Sequence, residues 1–339
     1  MTPRTLALMG AIGLLAACTG KDGKPADTDD TGVGTDTDTG VDTDSGDTSE
    51  PCTASVLSTE PVTGATAVYY RDPLVVSFEG DGSAATLALT DAGGADVAFE
   101  TTWADGGVQA TLATVLAADT TYTLTVDVCG VETTTSFTTS SLGAPLTVGT
   151  ADLLGRTFVF RLSDATITEP SFLDFVASTY LTVPLLISVT AADSTSLDLL
   201  GGLGVHENDG TYTQMEGEET WDFPSGDFTE QPYFEAYSEY ITITYDGLPI
   251  PIEQFHLSGT FTADGTQIQR GVASGLGDTR HMAPLLGKPA DEYDALCALA
   301  AGAGVMCEPC ADGEPYCIYI VAEEITATWE AGLAMSPVE

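Results

Sequence analysis

Seven cysteines, three histidines and 51 carboxylates are the groups of this 339-residue chain whose types could do chemistry. Cys307-Glu308-Pro309-Cys310 has the spacing of a redox pair. A reactive pair of that kind sits at a helix N-terminus, where the dipole lowers the thiol pKa. This one falls between a helical segment and Asp312-Gly313, with Cys297 and Cys317 near in sequence as partners. Four cysteines could also hold zinc, yet a zinc ribbon uses two knuckle pairs and the chain has one. His206, His256 and His281 lie far apart without a metal-ligand spacing, and neither a Gly-x-Ser-x-Gly elbow nor a phosphate-cradling loop occurs. Carboxylates are so plentiful that a pair at glycosidase distance would carry no information. The reading is therefore of a protein that is not an enzyme, with no resident cofactor and no metal. Asp278 and Arg280, in Gly277-Asp278-Thr279-Arg280, form the one polar cluster read as a ligand loop, against the alternative that the pair caps the end of a β domain. The aromatic run Trp221, Phe223, Phe228, Tyr233, Phe234, Tyr237, Tyr240 reads as a sugar or peptide platform, or as a long loop that turns its rings inward.

Cys18 belongs to a different pattern. Arg4 supplies positive charge, residues 6–15 form a short apolar run, and Leu15-Ala16-Ala17-Cys18 follows. The run is too short to span a bilayer and reads as a cleavable export signal over 1–17. The four closing residues resemble a bacterial lipobox, which implies that Cys18 becomes the first mature residue and carries lipid on its sulfur. Each buried methylene of such an anchor contributes about 0.8 kcal/mol. Thr19 stands where inner-membrane retention uses aspartate, so the resemblance implies an outer-membrane or cell-surface location, with the membrane as partner through the lipid.

Residues 18–51 are nearly all Asp, Thr, Gly and Ser beyond Lys21. With almost no apolar side chains the segment cannot offset its ordering entropy and reads as a self-repelling tether. Its contour reaches on the order of 100 Å. The alternating aspartates are the one place where Ca2+ is a candidate, although no bidentate glutamate closes a calcium loop. Nine Lys and Arg against 51 Asp and Glu give a net charge of −42. That balance opposes counterion release on nucleic acid and disfavours bare anionic headgroups.

Residues 52–140 read as short strands between turn signals, at Val56-Leu57, Leu74–Phe78, Thr86–Leu89, Val97–Phe99, Ala110–Leu112, Tyr122–Val126 and Ser136–Thr138. Glu60-Pro61-Val62-Thr63-Gly64, Pro73–Phe78, Leu116–Val126 and Ser136–Thr139 resemble the bacterial Ig-like module of the SbsA type. The resemblance implies a β-sandwich with Tyr122 at the tyrosine-corner position, acting as spacer or adhesive unit. Cys52 and Cys129 depart from that pattern and read as an added staple, worth roughly 4 kcal/mol on the chain-entropy model.

Residues 141–339 form a second, β-rich domain. Strands are expected at Arg156–Leu162, Pro184–Thr190, Ser196–Leu200, Tyr240–Tyr245, Phe255–Phe261 and Gln267–Ser274, with an Asp264-Gly265 hairpin turn between the last two. A helix starting at Pro289, with Tyr293, Leu296, Cys297 and Ala300 on one face, precedes a closing strand near Cys317–Val321. Cys297, Cys307, Cys310 and Cys317 should form two disulfides whose pairing the sequence leaves open. The layout is architecturally analogous to a lipocalin, without its signature motif. The expected fold is all-β: an Ig-like sandwich followed by a disulfide-stapled, barrel-like domain with one short helix. The expected role is non-catalytic, structural or adhesive, toward an envelope protein or glycan. The alternatives are a ligand-binding barrel and an envelope hydrolase.

Overall fold

Chain segments that alternate polar and apolar residues bury one face only, and here they do so around two separate cores within one compact unit, Pro51–Glu339. The computed structural model describes residues 52–338 apart from 175–177, 179–181 and 246. The export signal, Cys18, the tether and its candidate Ca2+ ligands lie outside the described residues.

The first core is enclosed by seven strands: β1 (Ser55–Glu60), β2 (Leu74–Glu79), β3 (Thr86–Asp91), β4 (Glu100–Trp103), β5 (Gln109–Ala113), β6 (Thr121–Val128) and β7 (Val131–Thr138). They form two antiparallel sheets ordered β1-β2-β5-β4 and β3-β6-β7. This is the four-plus-three arrangement of a constant-type immunoglobulin sandwich. β6 shows why: Tyr122, Leu124, Val126 and Val128 point inward at alternate positions, while the threonines between them face out. The Tyr122 hydroxyl accepts a hydrogen bond from the Ala117 backbone N–H at 2.8 Å, which is the geometry of a tyrosine corner. Cys52–Cys129 ties the chain entering the sandwich to the turn after β6. The strand expected at 97–99 is displaced to β4, and Asp96 makes only an isolated bridge to Thr90. The displaced strand is an exposed edge reading Glu-Thr-Thr, so hydrophobicity did not mark it.

The second core is enclosed by β8 (Thr157–Arg161), β10 (Pro184–Ala192), β11 (Ser196–His206), β13 (Trp221–Asp227), β14 (Tyr233–Tyr245), β15 (Leu248–Phe261), β16 (Gln267–Asp278) and β17 (Cys317–Trp329). Each pairs antiparallel with the next, β10 pairs both β8 and β11, and β17 returns to β8 through Thr328↔Val159 and Trp329↔Phe158. The sheet thus closes into an eight-stranded up-and-down barrel. β9 (Thr166–Glu169) adds to β17 and β12 (Tyr212–Gln214) to β11. The β15–β16 hairpin turns at Gly265, whose φ of 65° admits glycine without strain.

Two expectations are corrected. The aromatic stretch 221–240 is not a long loop. It is β13, a turn and the first half of β14, with Trp221, Phe223, Phe228 and Phe234 in the core and Tyr237 and Tyr240 outside. Its Phe234-Glu235-Ala236-Tyr237-Ser238 alternation has period two, and the density of rings obscured it. The helix is α1 (Ala295–Gly302), beginning six residues after Pro289. Residues 289–294 make single turns that leave Tyr293 outside it, while Leu296 and Ala300 are buried.

The sandwich and the barrel meet at the barrel end carrying Thr260 and Tyr233. There the Tyr69 hydroxyl shares a 2.6 Å hydrogen bond with Thr260, and Arg71 lies 3.7 Å over the Tyr233 ring while pairing with Glu230. Arg270 bridges Asp72 and Glu324. This end of the barrel is filled by Phe158, Phe228, Phe234 and Phe261, the last of which contacts the other three rings.

Candidate functional site

Aromatic rings plug one end of the barrel, but the inner row of β16 toward the other end is built of small residues. Its inward positions are Gly271, Ala273, Gly275 and Gly277, and β17 adds Ala322. A Cβ on Gly275 or Gly277 would meet Ile252 or Ile320 at 2.6 and 2.8 Å, so those isoleucines lean toward the small residues. They do not fill the space. A cavity of about 80 Å3 remains, and the cleft encloses about 730 Å3 when its open mouth is counted. Its walls are Ile243, Ile250, Ile252 and Phe255 on one side, Ala273, Gly275, Ile320 and Ala322 on the other, and Leu162, Ile167 and Leu173 from the β8–β9 region. Among the described residues Ser274 is the only one of the lining that is neither aliphatic, aromatic nor glycine, apart from the thioether of Met282. An apolar cavity of ~150 Å3 can hold benzene. About half that volume suits the end of a slender alkyl chain.

Met282 and Leu285 close the lining from a 3-10 segment, Thr279–Leu286, which follows β16 directly. Here the sequence-marked pair acts. Asp278 is buried, accepts the Arg280 backbone N–H at 3.0 Å, and takes Nε and Nη2 of the Arg280 guanidinium with both oxygens. The remaining Nη1 donates to Asp312 at 2.6 Å. Hydrogen bonds to Asp278 and Asp312 raise the Arg280 pKa further above its ordinary value. The Glu314 N–H, then Arg280, holds the Asp312 carboxyl below its own. The pair is therefore a clasp that locks the cap onto the loop after α1. The same loop carries the staples Cys297–Cys307 and Cys310–Cys317, and the Thr279 hydroxyl donates to the Tyr316 carbonyl at 2.7 Å. Neither Cys307 nor Cys310 is a free thiol, and the two are paired elsewhere rather than with each other.

The other marked residues do not converge. His206 packs at a tilt against Tyr212 at the end of β11, His256 does so against Tyr237 outside the barrel, and His281 is exposed in the cap. Among the described residues no group of three or more His, Cys, Asp or Glu could hold a metal ion, and no helix is long and apolar enough to cross a membrane. Sequence reasoning missed the pocket lining altogether. The available signal was Gly271-x-Ala273-x-Gly275-x-Gly277, small residues at period two in a strand facing long aliphatics.

No family model matches the chain, and no curated protein matches it. Among solved structures it is similar to CopC from Methylosinus trichosporium OB3b, at 18% identity and a TM-score of 0.24, over 26% of this chain and 94% of that one. It is also similar to a titin fragment named A168169, at 10% identity and TM-score 0.20, over 55% and 90% of the two chains. The I-band fragment I67–I69 of titin matches at 8% identity and TM-score 0.20, over 66% and 93%. Scores this low carry no functional argument. The class of the protein rests on its own strand order: an all-β chain of Ig-like sandwich and closed eight-stranded barrel.

Proposed function

We propose that this chain is a lipid-anchored envelope protein whose barrel binds the apolar end of a ligand, with the sandwich as a spacer beneath it. The observation that carries the reading is the uncharged aliphatic pocket at one barrel end, in a molecule whose other end is packed solid with rings. Filling such a pocket with three or four methylenes at about 0.8 kcal/mol each gives roughly 3 kcal/mol, so a short alkyl probe binds at millimolar strength and a longer ligand gains further at the mouth. Anchoring rests on the resemblance of residues 15–18 to a lipobox.

Two experiments test the two halves. Metabolic labelling with a fatty acid should mark the native chain and not its Cys18→Ser form; equal labelling, or none, contradicts the anchor. Calorimetry of 1-hexanol with full-length Cys18→Ser protein should show saturable binding that Ala273→Leu abolishes. Absence of heat from the first protein, or equal binding by both, contradicts the pocket. A structural or adhesive role has one observation in its favour, the tightly bonded junction of sandwich and barrel, and it becomes the better reading if hexanol does not bind.

A further inference from the structure

The pocket reading leaves open what kind of polar end the ligand carries, and the disposition of the cations bears on this. Every Lys and Arg side chain of the described residues is engaged in the fold. Arg71 and Arg270 join sandwich to barrel, through Glu230 and through Asp72 with Glu324. Arg156 donates to the carbonyls of Asp152, Asp264 and Gly265 and lies 4.5 Å over the Trp329 ring. Lys288 pairs with Glu292. Arg161 and Arg280 stand within two residues of a lining residue, and both are neutralised, by Asp164 and by Asp278 with Asp312. Two carboxylates without a Lys or Arg partner lie beside lining residues in sequence: Glu169, two residues after Ile167, is exposed, and Asp174, next to Leu173, accepts the Ile167 N–H at 2.9 Å. Among the described residues no unpaired Lys or Arg is left to receive an anion at this pocket, whose lining carries no charge, in a chain whose net charge is −42.

We propose that the barrel discriminates by charge, taking alkyl chains that end in a neutral or cationic group, such as an alcohol, ester or ammonium, and rejecting those that end in carboxylate or phosphate. The inference rests on the pocket reading. It adds a selectivity that the pocket lining alone does not contain, because an aliphatic wall treats all alkyl ends alike.

The test compares probes of one chain length, 1-hexanol, hexanoate and hexyltrimethylammonium, titrated into full-length Cys18→Ser protein at low salt and pH 8, where an ordinary histidine is uncharged. The alcohol and the ammonium should bind, and hexanoate about tenfold or more weaker, with the gap narrowing as salt screens the rim. Glu169→Lys, an exposed change that leaves the lining intact, should strengthen hexanoate relative to hexanol. Hexanoate binding as tightly as hexanol overturns the charge selectivity while sparing the pocket. Failure of all three overturns the pocket reading, and this inference with it.

Discussion

At the scale of single residues, the proposed alkyl site depends on small side chains and its cap on the Arg280 clasp. Ala273 is buried on the inner row of β16 and borders the cavity. Ala273→Leu should occupy that space, abolish alkyl binding and leave the circular dichroism spectrum unchanged; unaltered binding would place the ligand elsewhere. Arg280→Met removes both ion pairs of the cap clasp and leaves Asp278, which is only 4% exposed, without its cation. The expected cost is about 2 kcal/mol, below the range for a fully buried pair because the arginine is partly solvated. Hydrogen exchange should then accelerate over Thr279–Leu286 while the β14–β15 hairpin stays protected. The turn aspartates contribute to stability toward acid. The Thr229 N–H and hydroxyl hold the Asp227 carboxyl below its ordinary pKa, and the Thr262 hydroxyl and Thr266 do the same for Asp264. A depressed folded-state pKa stabilises the fold above about pH 4, the unfolded value, and that contribution is lost as pH falls further. The melting temperature should therefore drop between about pH 4 and pH 2, and a flat profile there would show that these turns contribute nothing.

Among the elements, the tail segment 331–338 is bonded back onto the barrel. Val338 exchanges hydrogen bonds with Thr220, Ser336 with Gln214, and the Met335 methyl reaches Gly202 on β11. Leu200, Gly202 and Gly204 share the outer face of β11 with Leu186 of β10 opposite, and both leucines are buried although they face away from the barrel core. Ending the chain at residue 330 should expose this face and cost roughly 3 kcal/mol, the order expected for re-exposing one to two leucines; an unchanged denaturation midpoint would show the tail to be dispensable. The same elements show what could be read beforehand. β6 and the β15–β16 hairpin were legible because alternation and an Asp-Gly turn mark them locally. β9, β12 and β14's first half were not. The first two are three or four residues long and exist only because a neighbouring strand offers its edge, and in the third aromatic crowding hid the period. Pocket residues such as Ile243 and Ala322 are distant in sequence and become neighbours only when β17 returns to β8. The closing of a barrel is a long-range event that no local pattern announces.

For the whole molecule, the two cores are joined by tyrosines and arginines rather than by a loose hinge. Burial pushes the Tyr69 hydroxyl well above its ordinary pKa and the Tyr233 hydroxyl up to about 12. A tyrosine whose folded pKa is raised stabilises the fold fully below about pH 10, and the contribution fades as pH climbs toward the folded value. Alkaline titration followed by tyrosinate absorbance should accordingly show late-ionising tyrosines, one fewer in each of Tyr69→Phe and Tyr233→Phe. Ionisation of all tyrosines near pH 10 would mean the junction is open in solution. With that junction closed by rings and ion pairs, the proposed alkyl site lies at the other end of the barrel. The most direct measurement is isoleucine-methyl NMR of full-length Cys18→Ser protein titrated with 1-hexanol. Shifts concentrated at Ile243, Ile250, Ile252 and Ile320, with Ile187, Ile241 and Ile268 unmoved, are the predicted result. No shifts, or shifts that avoid those four methyls, would contradict an apolar ligand inside the barrel.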